Sequence, residues 1–297
     1  MAPALEGSDV ATVPTATNEC RVYYQDTDGF IREHIHRLQG WTLSNVPPFK
    51  AKPASPLAVV GWDNGNQIRL YCVSVEGYLE EWCYGSNQDR WAPGYLSNSR
   101  FRVHEASKLA AVSWYEDGPS IRVYAQDPDN KIQEYINTDP TWTKREVGLA
   151  AEFGASIAAV QWKENGIRIR LYYQDLDGTI KEQCSDAGGP WSQGAFTPQY
   201  QLPPYTAIAA LAWPGRGAPV RVYFQDPSNS IVEFKHDQTW NLDSTVIRSL
   251  RPGRRLASLQ WESGSELRLY YQGDDNRIRE VARSKDAEWY PGEFVSQ

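Results

Sequence analysis

Short β-branched and aromatic runs, cut apart by clusters of Gly, Pro, Asn and Asp, fill this chain, and no helical period competes with them. Such runs predict strands joined by tight turns. One run returns six times: Arg21-Val-Tyr-Tyr-Gln-Asp, Arg69-Leu-Tyr-Cys-Val-Ser, Arg122-Val-Tyr-Ala-Gln-Asp, Arg170-Leu-Tyr-Tyr-Gln-Asp, Arg221-Val-Tyr-Phe-Gln-Asp and Arg268-Leu-Tyr-Tyr-Gln-Gly, at intervals of 48, 53, 48, 51 and 47 residues. Each unit after the first opens with an apolar stretch ending in Trp (Trp62, Trp114, Trp162, Trp213, Trp261), where the first unit has Val13 and Pro14. About four strands fit in such a unit, the content of one propeller blade, and six blades close a ring without long open edges. The expectation is an all-β fold: a single six-bladed β-propeller domain over residues 1–297, with about four antiparallel strands per blade. A trefoil would repeat three times, and a β-sandwich pair has no reason to keep six equal units.

The turn in the middle of each unit fixes a register. Asp127-Pro128-Asp129-Asn130 and Asp226-Pro227-Ser228-Asn229 put Pro second in a type I turn and Asn fourth, where φ is positive; Gly29, Gly77, Gly178 and Asn276 hold that fourth place elsewhere. A three-residue loop of this kind pairs Asp26 with Phe30, so Tyr23 faces Glu33 and Arg21 faces Ile35. Arg21 and Glu33 then share a face as diagonal neighbours. The same spacing of 12 recurs in Arg69/Glu81, Arg122/Glu134, Arg170/Glu182, Arg221/Glu233 and Arg268/Glu280. The residue after each Glu points to the opposite face, towards the neighbouring blade: His34, Trp82, Tyr135, Gln183, Phe234 and Val281. Seven to ten residues after each Glu stands another Trp: Trp41, Trp91, Trp142, Trp191, Trp240 and Trp289.

Composition narrows what these faces could meet. The 297 residues are 41% apolar and 23% charged with a formal net charge of −7, a balance that leaves no basic patch for nucleic acid or an anionic membrane. No apolar run approaches the roughly 20 residues of a membrane span, and the opening MAPALEGSDV lacks the basic and apolar segments of a secretory signal. The expectation is a cytoplasmic protein or one exported to the cell surface by a non-classical route. Twelve Trp and 17 Tyr stand beside 8 Phe and one Met, which favours aromatics with polar handles over plain core fillers. Cys20, Cys72, Cys83 and Cys184 lack zinc-type spacing, and the register puts Cys72 and Cys83 on opposite faces of one blade. Free thiols are expected.

If blades stack as in a propeller, the Arg and Glu of one blade look across a cleft at aromatics of the next. A guanidinium offers a fork of donors, a carboxylate offers acceptors, and an indole offers a flat apolar face with one N–H. A pyranose presents the complementary set, hydroxyls that donate and accept in fixed directions beside a patch of C–H groups. The alternative is a buried ion pair that fixes the blade while the Trp merely packs. That reading does not explain a polar-tipped aromatic at every repeat, and buried pairs stabilise little on average.

The pattern Arg-Val/Leu-Tyr-x-Gln-Asp-x-x-Gly/Asn-x-Ile-x-Glu, six times over with a Trp downstream, resembles the fungal fucose-binding lectins of the Aleuria aurantia lectin family over about residues 10 to 295. The resemblance implies a six-bladed propeller with fucose held between adjacent blades. There Arg and Glu of one blade bond the sugar's hydroxyls and ring oxygen, a Trp of the next blade adds its N–H, an aromatic stacks, and the methyl enters an apolar pocket. Carried over, it joins Arg21 and Glu33 with Trp91, Arg69 and Glu81 with Trp142, and Arg122 and Glu134 with Trp191. It also joins Arg170 and Glu182 with Trp240, Arg221 and Glu233 with Trp289, and Arg268 and Glu280 with Trp41. In the stacking place, Trp82, Tyr135 and Phe234 would serve the first, second and fourth clefts, and Gln183, Val281 and His34 the others. The clefts on Arg21, Arg69 and Arg170 are therefore expected to fill first. The partners implied are fucosylated glycans and cell-surface glycoproteins, with the chain itself a homodimer.

A sialidase-like propeller glycosidase needs one asymmetric site with carboxylates or a Tyr in separate roles, and no unit stands out. An Arg beside each Glu should keep the carboxylate ionised, unlike a general acid. A propeller scaffold for protein partners gives no reason for six Arg–Glu–Trp sets. His34 and His36 lack a carboxylate cluster, so no metal and no cofactor are expected. Fucose binding should consequently survive chelator, since the clefts hold no cluster of oxygen ligands for calcium; binding lost in EDTA and restored by calcium would contradict this reading.

Overall fold

The hairpin turn sets the geometry of every blade. The computed structural model describes residues 3–44, 49–87, 89–215, 217–285 and 287–296. Blade one is an antiparallel sheet of β1 (Val10–Ala16), β2 (Glu19–Gln25), β3 (Ile31–Arg37) and β4 (Gly40–Leu43), bonded in that order. The five later sheets repeat it with four consecutive strands each. The first strands lie side by side around the axis, and β1 packs against both Ala58–Trp62 and Leu256–Trp261, which closes the ring. The six-bladed propeller expected from the repeat is the fold found.

Register follows from the turn as expected. Tyr23 pairs with Glu33 and Arg21 with Ile35; Tyr71 pairs with Glu81, Tyr124 with Glu134, Tyr172 with Glu182, Tyr223 with Glu233 and Tyr270 with Glu280. Gly29, Gly77, Asn130, Gly178, Asn229 and Asn276 all have φ between 63° and 85°, a region open to Gly and tolerated by Asn. The Asp of the motif caps this turn. Asp26 Oδ1 accepts the amide N–H groups of Asp28 and Phe30 at 3.0 and 2.9 Å, and Asp127 and Asp226 do the same in their blades.

The Gln of the motif ties every blade but the second, which has Val73, to the chain that enters the next. Gln25 Nε2 donates to the carbonyls of Ala51 and Lys52, Gln174 to those of Leu202 and Pro203, and Gln225 to those of Leu250 and Arg251. Gln272 turns the same bond on the start of the chain, donating to Leu5 O at 2.7 Å and accepting from Gly7 N–H at 2.8 Å. Ring closure thus reuses the inter-blade device. A buried carbonyl left without its donor costs about 1–3 kcal/mol, so these ties matter beyond their number.

The core lies between blades rather than inside them. Six apolar clusters are found among the described residues, one at each blade boundary; that between blades one and two joins Val13, Tyr23 and Ile31 with Ile68, Leu70 and Trp82. Full burial of each aliphatic side chain contributes about 1.5–3 kcal/mol, so every blade depends on both neighbours. Both faces of a blade are therefore buried, which explains near-continuous apolar strands where a half-exposed sheet would alternate.

All four cysteines are free thiols. Burial pushes Cys20 and Cys83 up to about 12 and Cys184 up to about 11, and raises Cys72 well above its usual value. Thiolates are the reactive species. At pH 8 a thiol reagent should therefore find almost nothing to modify in the native protein and four groups in unreduced, denatured protein; fewer than four would reveal a disulfide that this fold has no place for.

Candidate binding clefts between the blades

Each cleft begins with a carboxylate that its own blade buries and a tyrosine that holds it. Glu33, Glu81, Glu134, Glu182, Glu233 and Glu280 are nowhere more than 7% exposed. The hydroxyl of the cross-strand Tyr donates to the carboxylate at 2.7 Å in Tyr23–Glu33 and Tyr172–Glu182, 3.0 Å in Tyr124–Glu134, and 3.1 Å in Tyr71–Glu81 and Tyr223–Glu233. Tyr270, paired across the strands with Glu280, meets Cys20 Sγ at 3.6 Å. Burial and the facing carboxylate raise all six phenols well above their usual range, so they remain donors.

The next blade supplies the far wall. Trp91, Trp142, Trp191, Trp240, Trp289 and Trp41 each meet the preceding blade's Tyr edge to face, with centroids 5.9–6.3 Å apart and planes at 72–90°. The structure thereby places each outer Trp beside the Tyr that faces the preceding blade's Glu, at all six boundaries that the sequence pairs. At the boundary of blades six and one the set lines a cavity of about 350 Å³, with Arg268, Tyr270 and Glu280 on one side and Cys20, His36 and Trp41 on the other, within the size range of small-molecule sites. The indole N–H groups of Trp142 and Trp191 are buried and have no protein acceptor.

The arginines stand on the tryptophans that end the inner strands. In blades two to six the guanidinium carbon lies 4.7–5.5 Å from the ring centroid of Trp62, Trp114, Trp162, Trp213 or Trp261. Its Nη1 donates to the preceding residue's carbonyl at 2.9–3.0 Å, and in blades two, four, five and six the same guanidinium also bonds a neighbouring side chain, Gln67, Asp186, Asp237 or Glu266. Blade one has Val13 and Pro14 instead of Trp, and Arg21 departs accordingly: it lies over Tyr84 of blade two at 4.7 Å and pairs with Glu33 at 2.8 Å. In three other blades the Arg–Glu approach is looser, at 3.7, 3.5 and 3.3 Å for Arg122–Glu134, Arg221–Glu233 and Arg268–Glu280, while Arg170 pairs with Asp186 at 2.7 Å. A structural ion pair repeated for stability would not vary so much.

Two expectations hold only in part here. Of the rings meant to stack on a ligand, Tyr135 is covered, 1% exposed against Phe101, and Trp82 is half-buried with one face flat on Phe49 at 4.2 Å, whereas Phe234, half-buried beside Phe224, lines a cavity of about 670 Å³ together with His236 and Trp240. Gln183, Val281 and His34 are buried as well, His34 with its pKa lowered to about 4 by desolvation. Phe49 and Phe101, from the connections between blades, provide the cover over Trp82 and Tyr135. Nor does the Arg keep every carboxylate at its usual acidity. Arg69 and Arg268 do favour ionisation, but burial outweighs them and raises Glu81 and Glu280.

Two positions that the sequence reading passed over line the clefts. One is three residues after each Glu: His36, Tyr84, Asn137 and His236 pair across the sheet with Trp41, Trp91, Trp142 and Trp240. The other is three residues after three of the outer Trp residues, where Gly94, Gly194 and Gly292 stand. A Cβ there would come within 2.1–2.3 Å of the carboxylates of Glu81, Glu182 and Glu280. The room lets Glu81 and Glu182 accept the Leu96 and Phe196 amide N–H groups at 3.2 and 3.1 Å. The recurrence of Trp-x-x-Gly was the available signal.

The model of the family described as fungal fucose-specific lectin matches residues 5–276. A fucose-specific lectin of Aspergillus oryzae is 33% identical over 86% of this chain and 84% of its own, and that of Aleuria aurantia 32% identical over 82% and 78%. The crystal structure of the Aleuria aurantia lectin, a six-bladed propeller, superposes with a TM-score of 0.85 at 28% identity over 99% of this chain and 97% of that one. A variant of the same lectin solved with Fucα1-6GlcNAc gives a TM-score of 0.85 at 29% identity over 99% and 97%.

Gly194→Ala should evict the Glu182 carboxylate at a stability cost of about 1–3 kcal/mol, the usual scale of overpacking. The expected result, read by calorimetric titration, is one ligand equivalent fewer per chain. An unchanged number would show that Glu182 takes no part in binding.

Proposed function

This chain belongs to the fungal fucose-specific lectin family, and we propose that it holds L-fucose in the clefts between successive blades. It is a fucose-binding lectin, not an enzyme. Arg170, Glu182 and Trp240 form one such site, and Arg69 with Glu81 and Trp142, and Arg268 with Glu280 and Trp41, form its counterparts. The same reading extends to Arg21, Glu33 and Trp91, and to Arg122, Glu134 and Trp191. The guanidinium donates to sugar oxygens, the carboxylate accepts from hydroxyls, and the indole of the next blade donates its N–H.

The single observation that best supports this reading is the cavity between blades six and one, where Arg268, Glu280 and Trp41 line one opening. Preorganisation adds to it. Each Arg is propped on an aromatic ring and each Glu is held by a Tyr, so little side-chain entropy remains to be lost on binding. Fucosylated glycans of cell-surface glycoproteins are the partners that such a ring suits, because several clefts on one rigid body engage a decorated surface together and raise avidity without any new contact.

A glycan array tests the assignment: signal should be confined to fucosylated glycans and abolished by free L-fucose. Calorimetry with methyl α-L-fucoside should then show Arg170→Ala losing one equivalent per chain while the others bind as before, because the loss strips a fork of donors from one cleft alone. Binding to glycans without fucose, or an Arg170→Ala protein with the wild-type number of sites, would contradict it.

A further inference from the structure

Three residues after its Glu, blade six carries Arg283, where other blades carry Tyr84, Asn137, Ser185, His236 and His36. That side chain crosses the boundary into the cleft of blade five. Nη1 donates to Glu233 Oε2 at 2.8 Å and Nη2 to Oε1 at 2.9 Å, a bidentate grip, while Nη1 also reaches Asp243 Oδ2 at 3.0 Å. The guanidinium carbon sits 5.2 Å from the ring centroid of Trp289. Glu233 is completely buried and the Arg283 side chain is 11% exposed.

Resting on the lectin reading above, we propose that Arg283 is a built-in occupant of the fifth cleft, which therefore takes no fucose and serves to clasp blades five and six together.

The acceptor count carries the argument. A carboxylate has about four lone-pair sites. Glu233 already receives Arg283 Nη1 and Nη2, Tyr223 OH at 3.1 Å, Ser244 Oγ at 2.9 Å and Trp289 Nε1 at 3.2 Å. Nothing remains for a sugar hydroxyl. The indole N–H is spent on the same carboxylate, and the guanidinium covers the indole face. The fourth cleft differs at each point: Glu182 is held by the Tyr172 hydroxyl and the Phe196 amide, and His236 stands where Arg283 would.

A neutral sugar would have to displace a charge-assisted fork that is covalently tethered and carries no translational cost. Removing it would also leave the buried Glu233 with less compensation. The third cleft shows a weaker version. Arg145 grips one oxygen of Glu134, at 2.8 Å through Nε and 2.6 Å through Nη2, from a side chain 40% exposed to water. Such an arm can swing aside, whereas Arg283 is packed in place.

Methyl α-L-fucoside titrated calorimetrically into wild type, Arg283→Ala and Arg283→Met decides the matter. Methionine keeps an apolar stem against Trp289 without donors and guards against a variant that merely fails to fold. The expected result is one additional equivalent per chain in either variant, lost again when Arg221→Ala is added. Variants with wild-type circular dichroism and the wild-type number of equivalents would overturn the inference alone. A wild-type protein that takes up no fucoside would overturn the lectin reading and this inference with it.

Discussion

The buried bond from a tyrosine hydroxyl to a glutamate, formed across one hairpin and repeated in blades one to five, is the interaction on which the rest depends. The phenol is at most 1% exposed in all six blades, so it cannot turn to water, and the carboxylate it holds sits at the boundary with the next blade. The edge of the same phenol meets the next blade's Trp. One residue thus fixes both an acceptor and the position of the opposite wall. Deleting it would leave a buried charge short of a donor, which costs more than the bond itself contributes.

Because the apolar core also lies at the blade boundaries, folding and site assembly are one process. The Gln ties act at the outer end of this scheme, each anchoring the chain that enters the following blade, with Gln272 and Leu5 closing the circle. Blade two is the exception: Val73 stands in place of Gln and offers no side-chain donor to the chain that enters blade three. The propeller tolerates that loss because inner strands and inter-blade clusters hold the same boundary.

What could be read from the sequence was whatever the hairpin dictates locally. A Gly or Asn at the fourth turn position fixes the register, the register puts Tyr opposite Glu and Arg beside it, and six equal units imply a ring in which the next Trp must face them. Coverage was not legible. Trp82, Tyr135 and Phe234 point the expected way, yet Phe49, Phe101 and Tyr200, which approach them, come from connections whose lengths differ between repeats. Carboxylate acidity was not legible either, since it depends on how completely neighbouring blades exclude water, as at Glu81 and Glu280. Arg283 was visible as a departure at one position of the repeat, but its target lies on another blade, and only the packed ring shows the two meeting.

The central claim is that a sugar site here belongs to no single blade. A crystal structure with methyl α-L-fucoside tests it most directly. In the fourth cleft the sugar should lie between Arg170 and Glu182 of one blade and Trp240 of the next, with the Tyr172–Glu182 bond intact. Sugar bound instead within one blade, or in the central channel away from these side chains, would contradict it.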